Sequence, residues 1–476
     1  MKTFLACVSF ETDVKLEVSV HEVFLCLKQL KSKGPGPDDL PPWVLKDCAI
    51  FLAPAITFLL NQSLHSGNFP QCLKLANITP IPKVSNPSSI DDFRPISILP
   101  CLSKVFERVV LSKFILPKAS LLIRPSQFAY IPRPGSGTTS PVVLLNHMIL
   151  NFLDSASGAV RLLSVDFSKA FDSLSHSSIL DACRQLSFNS LLVNWLQSFL
   201  SRRLQRVVVD GSSSSWVFGV PQGSVLGPVL FCIVMDHLSP ACTNTKIVKY
   251  ADDVVFLHFL RSSSDDNLLL EWNALVDWST KVSLPINFNK CKVMDYVTKK
   301  SIVLSPIPIS PDCNVPSVTS LTFLGVTFTN DFKWNAHFDM ILRKAAKRIF
   351  ILRNLRRNNC SVDLLWKVYE SLLRSLFTYS AACFCNAPKY IFNKLVSFER
   401  RVCRICNISP GARPSVTRVI DDICNTFLKK IIDFPEHPLR VLFVPKKMDF
   451  TRSKNVFQHP RTRTRRFKDS FIKYCT

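Results

Sequence analysis

Glycine is scarce in this sequence, with 12 in 476 residues where soluble proteins average about 7%. Each is therefore expected where the backbone needs positive φ or close approach to another group. Acidic charge is also in short supply: 35 Asp and Glu face 59 Lys and Arg, a net charge of +24 within a charged fraction of only 20%. Such an uncompensated excess predicts a polyanionic partner, either nucleic acid or an anionic membrane surface. Long apolar runs are missing as well. Stretches 49–60 and 225–235 are interrupted by Pro54 and by Gly227-Pro228. Neither reaches the ~18 residues of a transmembrane helix, despite a mean hydropathy of +0.18. Residues 1–10 show no clear small-residue cleavage site, so no secretory signal is read. There is no internal repeat and no low-complexity tract beyond Ser clusters at 212–215 and 262–264.

What is present is ample apolar material, 47% of residues, which excludes disorder as the main state and suits about three domain-sized units. The 17 cysteines are odd in number and scattered, which favours reduced intracellular thiols. Cys403-x-x-Cys406, with Cys383 and Cys385 upstream, comes nearest to a zinc signature. It lacks a second well-spaced pair or a following His pair, so these thiols read as small buried hydrophobes.

Helical periodicity is clearest over 47–64, 179–200 and 337–355. Runs rich in Val, Ile and Phe at 161–166, 205–209 and 246–259 read as strands, and their irregular mixing with helices predicts an α+β fold. Strand signals thin out after about residue 330, a candidate domain boundary. Eight glycines fall in four segments, 33–38, 133–137, 218–227 and 323–325. Any of these could be an ordinary turn, but the third surrounds Pro221-Gln222 and leads into an apolar helix-like run.

Two acidic clusters carry the chemistry. Lys249-Tyr250-Ala251-Asp252-Asp253-Val254 reads as a hairpin whose tip presents carboxylates. Taken alone, that is an ordinary turn. The apolar run 162–165 ends in Asp166, followed by a helix start, which suits a carboxylate facing a cleft. If Asp166 meets Asp252 and Asp253 on neighbouring strands, the three cannot all stay ionised without cations between them. Two Mg²⁺ ions, or Mn²⁺ in their place, would relieve the repulsion and fit in-line phosphoryl transfer. Beside a basic surface, that chemistry points to nucleotidyl transfer on nucleic acid.

The ordered series of motifs resembles the reverse transcriptases of non-LTR, LINE-type retrotransposons, from about residue 31 to the C-terminus. The series comprises Gly34-Pro35-Gly36-Pro37-Asp38, Ile81-Pro82-Lys83, Phe93-Arg94-Pro95-Ile96-Ser97, Ser126-Gln127-Phe128-Ala129-Tyr130, Asp166 to Asp172, Gly219 to Gly227, Tyr250 to Asp253, Asn289-Lys290-Cys291-Lys292 and Phe323-Leu324-Gly325. The resemblance implies an RNA-directed DNA polymerase with a right-hand fold: an N-terminal remnant 1–30, fingers and palm 31–330, a helical thumb 331–420 and a basic C-terminal tail 421–476. It implies Asp166 and Asp252 as metal ligands with Asp253 as the third acidic group. Phe171 becomes the steric gate against a 2′-hydroxyl, Lys83 and Arg94 the grip on the incoming deoxynucleoside triphosphate, Gln222 and Gly223 the segment beside the nascent pair, and Lys290 a proton donor to pyrophosphate. Without the family, Lys83 and Arg94 would be solvated charges and Phe171 a core ring.

One departure stands out. Ile131 follows Tyr130 where many relatives place Arg, and Arg133 comes two residues later, which weakens template contact there. Residues 343–357 hold seven basic side chains, Lys344, Lys347 and Arg348 among them, and no acidic one; Ile341, Ala345, Ile349 and Leu352 recur at helical spacing. This predicts a helix with one packed and one cationic face; the resemblance makes it the thumb helix, which would track the phosphates of an RNA template and DNA primer. In 451–476, eight basic residues interleave with Phe457, Phe467, Phe471 and Tyr474, which suits single-stranded nucleic acid or a nuclear address. The expected setting is intracellular and nuclear, with no membrane partner; oligomeric state is not legible. About 30 residues precede the first motif, too few for the endonuclease domain that usually comes first, so the polymerase is expected without it. An intron- or telomerase-type polymerase is the rival of the same class, which the thumb-to-tail organisation disfavours. A catalytically silent nucleic-acid-binding relic is the rival of a different class.

Overall fold

The computed structural model describes residues 16–31, 34–156, 158–218, 223–299, 301–310, 313–409, 411–443, 457 and 462–475. The chain forms two units, each assembled from separate stretches: 1–124, 168–238 and 278–285 in the first, 125–167, 239–277 and 286–476 in the second. The strands used below are β1 (Leu75–Pro82), β2 (Phe93–Ile98), β3 (Ala159–Val165), β4 (Leu204–Val209), β5 (Thr245–Tyr250), β6 (Asp253–Leu260) and β7 (Lys292–Val297).

The first unit surrounds a small mixed sheet. β1 pairs antiparallel with β2, with Ile81 opposite Arg94, and parallel with β4. Helices Val20–Lys28, Ala49–Ser66, Cys101–Val110, Ser190–Leu200 and Gly227–Asp236 bury their apolar faces in this unit. Ser19 and Glu22 close the first of these with a capping box. Helix Ala49–Ser66 runs through Pro54 instead of breaking there. Among the described residues, no helix is long and apolar enough to cross a membrane.

The second unit is built on a four-stranded antiparallel sheet in the order β5-β6-β3-β7. β3 is central, and six of its seven residues are buried, so it reads as a near-continuous apolar run. Arg161 is the exception in chemistry: its guanidinium donates to Asp295 on β7 at 3.0 Å, to Asp266 at 2.8 Å and to the Ser305 carbonyl at 2.8 Å. Burial pushes the Asp295 carboxyl up, against the pull of Arg161. Edge strand β5 is covered by residues 126–128, since the Lys249 N–H donates to Ser126 at 2.8 Å and the Phe128 N–H to Lys249 at 3.0 Å. The segment around Phe323-Leu324-Gly325 is a hairpin between Ser320–Phe323 and Val326–Thr329. Leu324 and Gly325 both take positive φ, 46° and 78°.

Helices Asn335–Arg357, Val362–Tyr369, Lys389–Cys406 and Val416–Asp433 complete this unit. Ile341, Ala345, Ile349 and Leu352 are buried and Lys344, Lys347 and Arg348 exposed, the division that their spacing predicts. Glu399 ties the helices together, accepting from Arg374 at 2.7 Å, Tyr369 at 2.8 Å and the Val416 N–H at 2.8 Å.

Two expectations are corrected. The periodic stretch 179–200 is two helices, His176–Gln185 and Ser190–Leu200, parted where Ser187 adopts φ 55°. Phe457, Phe467 and Phe471 are buried in the core of the second unit, so these rings are not offered to bases. The tail is anchored by Asp154, which accepts the Arg463 N–H at 2.9 Å; most of 444–461 and the Tyr474 side chain lie outside the described residues. Cys383, Cys385 and Cys406 are buried free thiols and Cys403 is half-buried, in keeping with their reading as small hydrophobes. Burial pushes Cys406 up to about 11, and no group of three metal-ligating side chains occurs among the described residues.

Arg161→Met would leave two carboxylates buried without their cation. It is expected to cost about 3–5 kcal/mol, read as a lower urea midpoint at unchanged slope.

Candidate active site

All four residues expected to do chemistry, Asp166, Asp252, Asp253 and Lys290, lie in the second unit. β3 pairs with β6 up to Val165 opposite Val254, so Asp166, the next residue, leaves the strand across from Asp253. β5 and β6 are joined by the two-residue turn Ala251-Asp252, closed by the pair Tyr250–Asp253. Ala251 supplies the positive φ, 54°. Apolar pairing on both sides drives the hairpin, and its shortness leaves Asp252 no choice but the tip.

Electrostatics record how close the carboxylates are. Asp253 keeps solvent access, yet its carboxyl group is pushed up to about 6, first by burial among protein atoms, then by the charges of Asp252 and Asp166. Lys290 partly offsets this negative corner, with its Nζ 3.8 Å from Asp166 Oδ1. The loop carrying it is stitched to β3 through the Asn287 N–H, which donates to the Asp166 carbonyl at 2.8 Å. Phe167 adds an isolated antiparallel bridge to Ile286.

Lys83, Arg94, Phe171 and Gly223 lie in the first unit. Lys83 and Arg94 are exposed at the loop end of the β1–β2 hairpin. The Lys83 ammonium donates to the Asp91 carbonyl at 2.7 Å, and Lys169 pairs with the Asp91 carboxylate at 3.2 Å. Phe171 belongs to the short helix Ala170–Ser173, but its side chain, like all of Gln222, lies outside the described residues. Gly223 takes φ +128°, and a Cβ there would sit 2.7 Å from the Ser97 carbonyl oxygen on β2. Only glycine allows that approach.

Two positions escaped sequence reasoning. Glu107, fully buried on helix Cys101–Val110, accepts the N–H groups of Val225 at 2.6 Å and Leu226 at 3.2 Å, and so pins the Gly223 segment to the first unit. Burial pushes its carboxyl up, while nearby Arg203 pulls the other way. The available signal was register, since Glu107 lies one turn from Ser103 and Val110 on the buried face of the helix. Gln127 contacts the hairpin turn through its side chain, and nothing in its own segment announces that contact.

A family model described as reverse transcriptase (RNA-dependent DNA polymerase) matches residues 81–328, just over half of the chain. The chain belongs to this reverse transcriptase family. Its α+β architecture is accordingly of the right-hand polymerase class. Among relatives, it is 27% identical over 427 residues to the RNA-directed DNA polymerase from mobile element jockey of Drosophila melanogaster, covering 83% of this chain and 44% of that protein. The jockey polymerase of Drosophila funebris is 28% identical, covering 87% and 46%. The Pol polyprotein of type-2 retrotransposable element R2DM of Drosophila melanogaster is 28% identical, covering 55% and 25%. The chain thus spans less than half the length of these relatives. A truncated apo telomerase from Candida tropicalis overlays on 55% of this chain and 54% of its own at TM-score 0.38 and 13% identity, too loose to bear on function.

Reverse transcriptases generally use a divalent metal. The donors here fit such an ion in kind: they are hard carboxylate oxygens, and the Asp253 pKa is raised by burial and then by the charges of Asp252 and Asp166. No group of three His, Cys, Asp or Glu side chains placed to hold a metal ion occurs among the described residues.

In metal-free protein, Asp253 is expected to titrate near pH 6 by carboxylate-resolved NMR, with Asp252→Asn lowering the midpoint. Because the folded-state value is raised, ionised Asp253 opposes folding above about pH 6, and that penalty fades as pH falls through 6 toward the ordinary carboxylate range. A midpoint unmoved by Asp252→Asn would refute the carboxylate convergence. Gly223→Ala is expected to lose roughly 1–3 kcal/mol of stability through forced backbone shift, measurable by thermal melting.

Proposed function

We propose that this chain is the polymerase portion of a non-LTR retrotransposon reverse transcriptase, an enzyme that copies an RNA template into DNA from the 3′ end of a DNA primer. The observation that carries the reading is the gathering of Asp166, Asp252 and Asp253 at one end of the β3–β6 pair within a family-matched chain. Asp166 and Asp252 would hold two Mg²⁺ ions, or Mn²⁺, with Asp253 as third acidic group. Bound there, the pair supplies charge for the attacking and leaving oxygens of an in-line nucleotidyl transfer.

The chain's own residues do the rest. Lys83 and Arg94 bind the triphosphate of an incoming deoxynucleotide, Arg through its planar fork and Lys as a point charge. Phe171 excludes the 2′-hydroxyl of ribonucleotides. Gln222 and Gly223 lie along the nascent pair, where glycine lets the backbone come close. Lys290 hands a proton to the departing pyrophosphate, and its nearness to Asp166 is what supports that role. Lys344, Lys347 and Arg348, on the exposed face of Asn335–Arg357, track primer–template phosphates without reading sequence. That helix begins the thumb, after fingers and palm; Arg348 already donates to the Leu372 carbonyl at 2.8 Å, so Lys344 and Lys347 are the freer of the three. Insertion into chromosomal DNA makes the nucleus the place of work.

Extension of a DNA primer on an RNA template decides between this reading and a catalytically silent relic. Asp252→Ala is expected to cut incorporation at least ~10³-fold, in keeping with loss of a principal electrostatic element. Equal incorporation by both proteins would discard the catalytic assignment, and binding without incorporation by either would identify a relic.

A further inference from the structure

Gln127 is fully buried, and its side-chain oxygen accepts two backbone N–H groups, from Ala251 at 3.0 Å and from Ala129 at 3.1 Å. Two donors converging on one atom fix which end of the amide is oxygen, since the flipped amide would set donor against donor. The amide nitrogen, Nε2, is also buried and has no hydrogen-bond partner among the described residues. An orphaned buried donor is destabilising. The side chain is therefore kept for what its oxygen holds.

One of those held groups belongs to the turn that carries Asp252. Tyr250 and Asp253 close the β5–β6 ladder, and Ala251, the next residue in, adopts the left-handed conformation that non-glycine residues rarely take. Gln127 itself is braced from several sides. It forms a parallel bridge with Lys249, its neighbour Phe128 is buried in the core, and the Arg133 guanidinium donates to its carbonyl. Arg133, two residues away from where relatives carry their arginine, thus supports this segment from within.

We propose that Gln127 is a positioning residue for the metal-binding turn: its amide oxygen fixes the left-handed Ala251 and so aims the Asp252 carboxylate. Gln127 touches neither substrate nor the reacting atoms. The role rests on the polymerase reading for its consequence in turnover, but the brace itself can be read without turnover.

The test compares wild type, Gln127→Met, Gln127→Glu and Asp252→Ala as full chains. Met keeps the length and apolar volume and removes the acceptor; Glu keeps the acceptor. Hydrogen exchange of peptides spanning 249–253, Mn²⁺ affinity by loss of the free-ion EPR signal, and kcat and KM for dTTP on a poly(rA)–oligo(dT) substrate are measured. Gln127→Met is expected to speed exchange at the turn alone and to weaken Mn²⁺ binding. Its kcat should fall on the order of 10- to 100-fold while KM for dTTP stays within about twofold, the mark of a misaimed group rather than a lost binding contact. Gln127→Glu should retain turn protection. Wild-type exchange and Mn²⁺ affinity in Gln127→Met would overturn the proposal, as would faster exchange spread over the whole sheet, which marks general unfolding. Absence of incorporation by the wild type would overturn the polymerase reading alone, because the exchange and Mn²⁺ arms need no turnover.

Discussion

Asp166, Asp252 and Asp253 are held where their charges oppose one another, and a sheet must supply the stiffness that keeps them there. The Asp253 carboxyl is pushed up to about 6 by burial and by its two neighbours. Left to themselves, three such groups would move apart into water. They stay because β3 is buried along nearly its whole length and is paired on both sides, so that neither Asp166 nor the hairpin tip can drift without breaking a ladder. A site that is repulsive when bare is one that cations would stabilise.

The same logic of buried polar anchors recurs where the chain must hold irregular backbone. Glu107 stands inside the first unit and accepts two N–H groups beside Gly223. Gln127 stands inside the second and accepts the Ala251 N–H. Arg161 ties β3 and β7 to the loop at Asp266, and Glu399 joins three helical segments. Each is an expensive group to bury, tolerated because several hydrogen bonds converge on it. Apolar packing builds the elements, and these few polar side chains fix the loops between them.

Much of this was legible. Apolar and β-branched residues on both sides of Ala251-Asp252 read as a hairpin, and the spacing of Ile341, Ala345, Ile349 and Leu352 named the buried face of a basic helix. Other features were not. Residues 179–200 keep apolar periodicity across Ser187, which masks the break that its positive φ and the Asn189 cap of the second helix make. Phe457, Phe467 and Phe471 look like stacking rings among arginines, but a core elsewhere in the second unit had room for them. Pro54 sits in a helix that its neighbours' packing was strong enough to sustain.

Composition and short-range pattern alone established a basic α+β chain with carboxylates at a hairpin tip and at a strand end, because those properties depend on neighbours within a few residues. That the strand ending at Val165 would lie beside the one beginning at Asp253, and that Gln127 would reach Ala251, came from folding. Strand partners and buried hydrogen bonds are chosen by packing between residues distant in the chain, and no local pattern encodes which of several compatible partners wins.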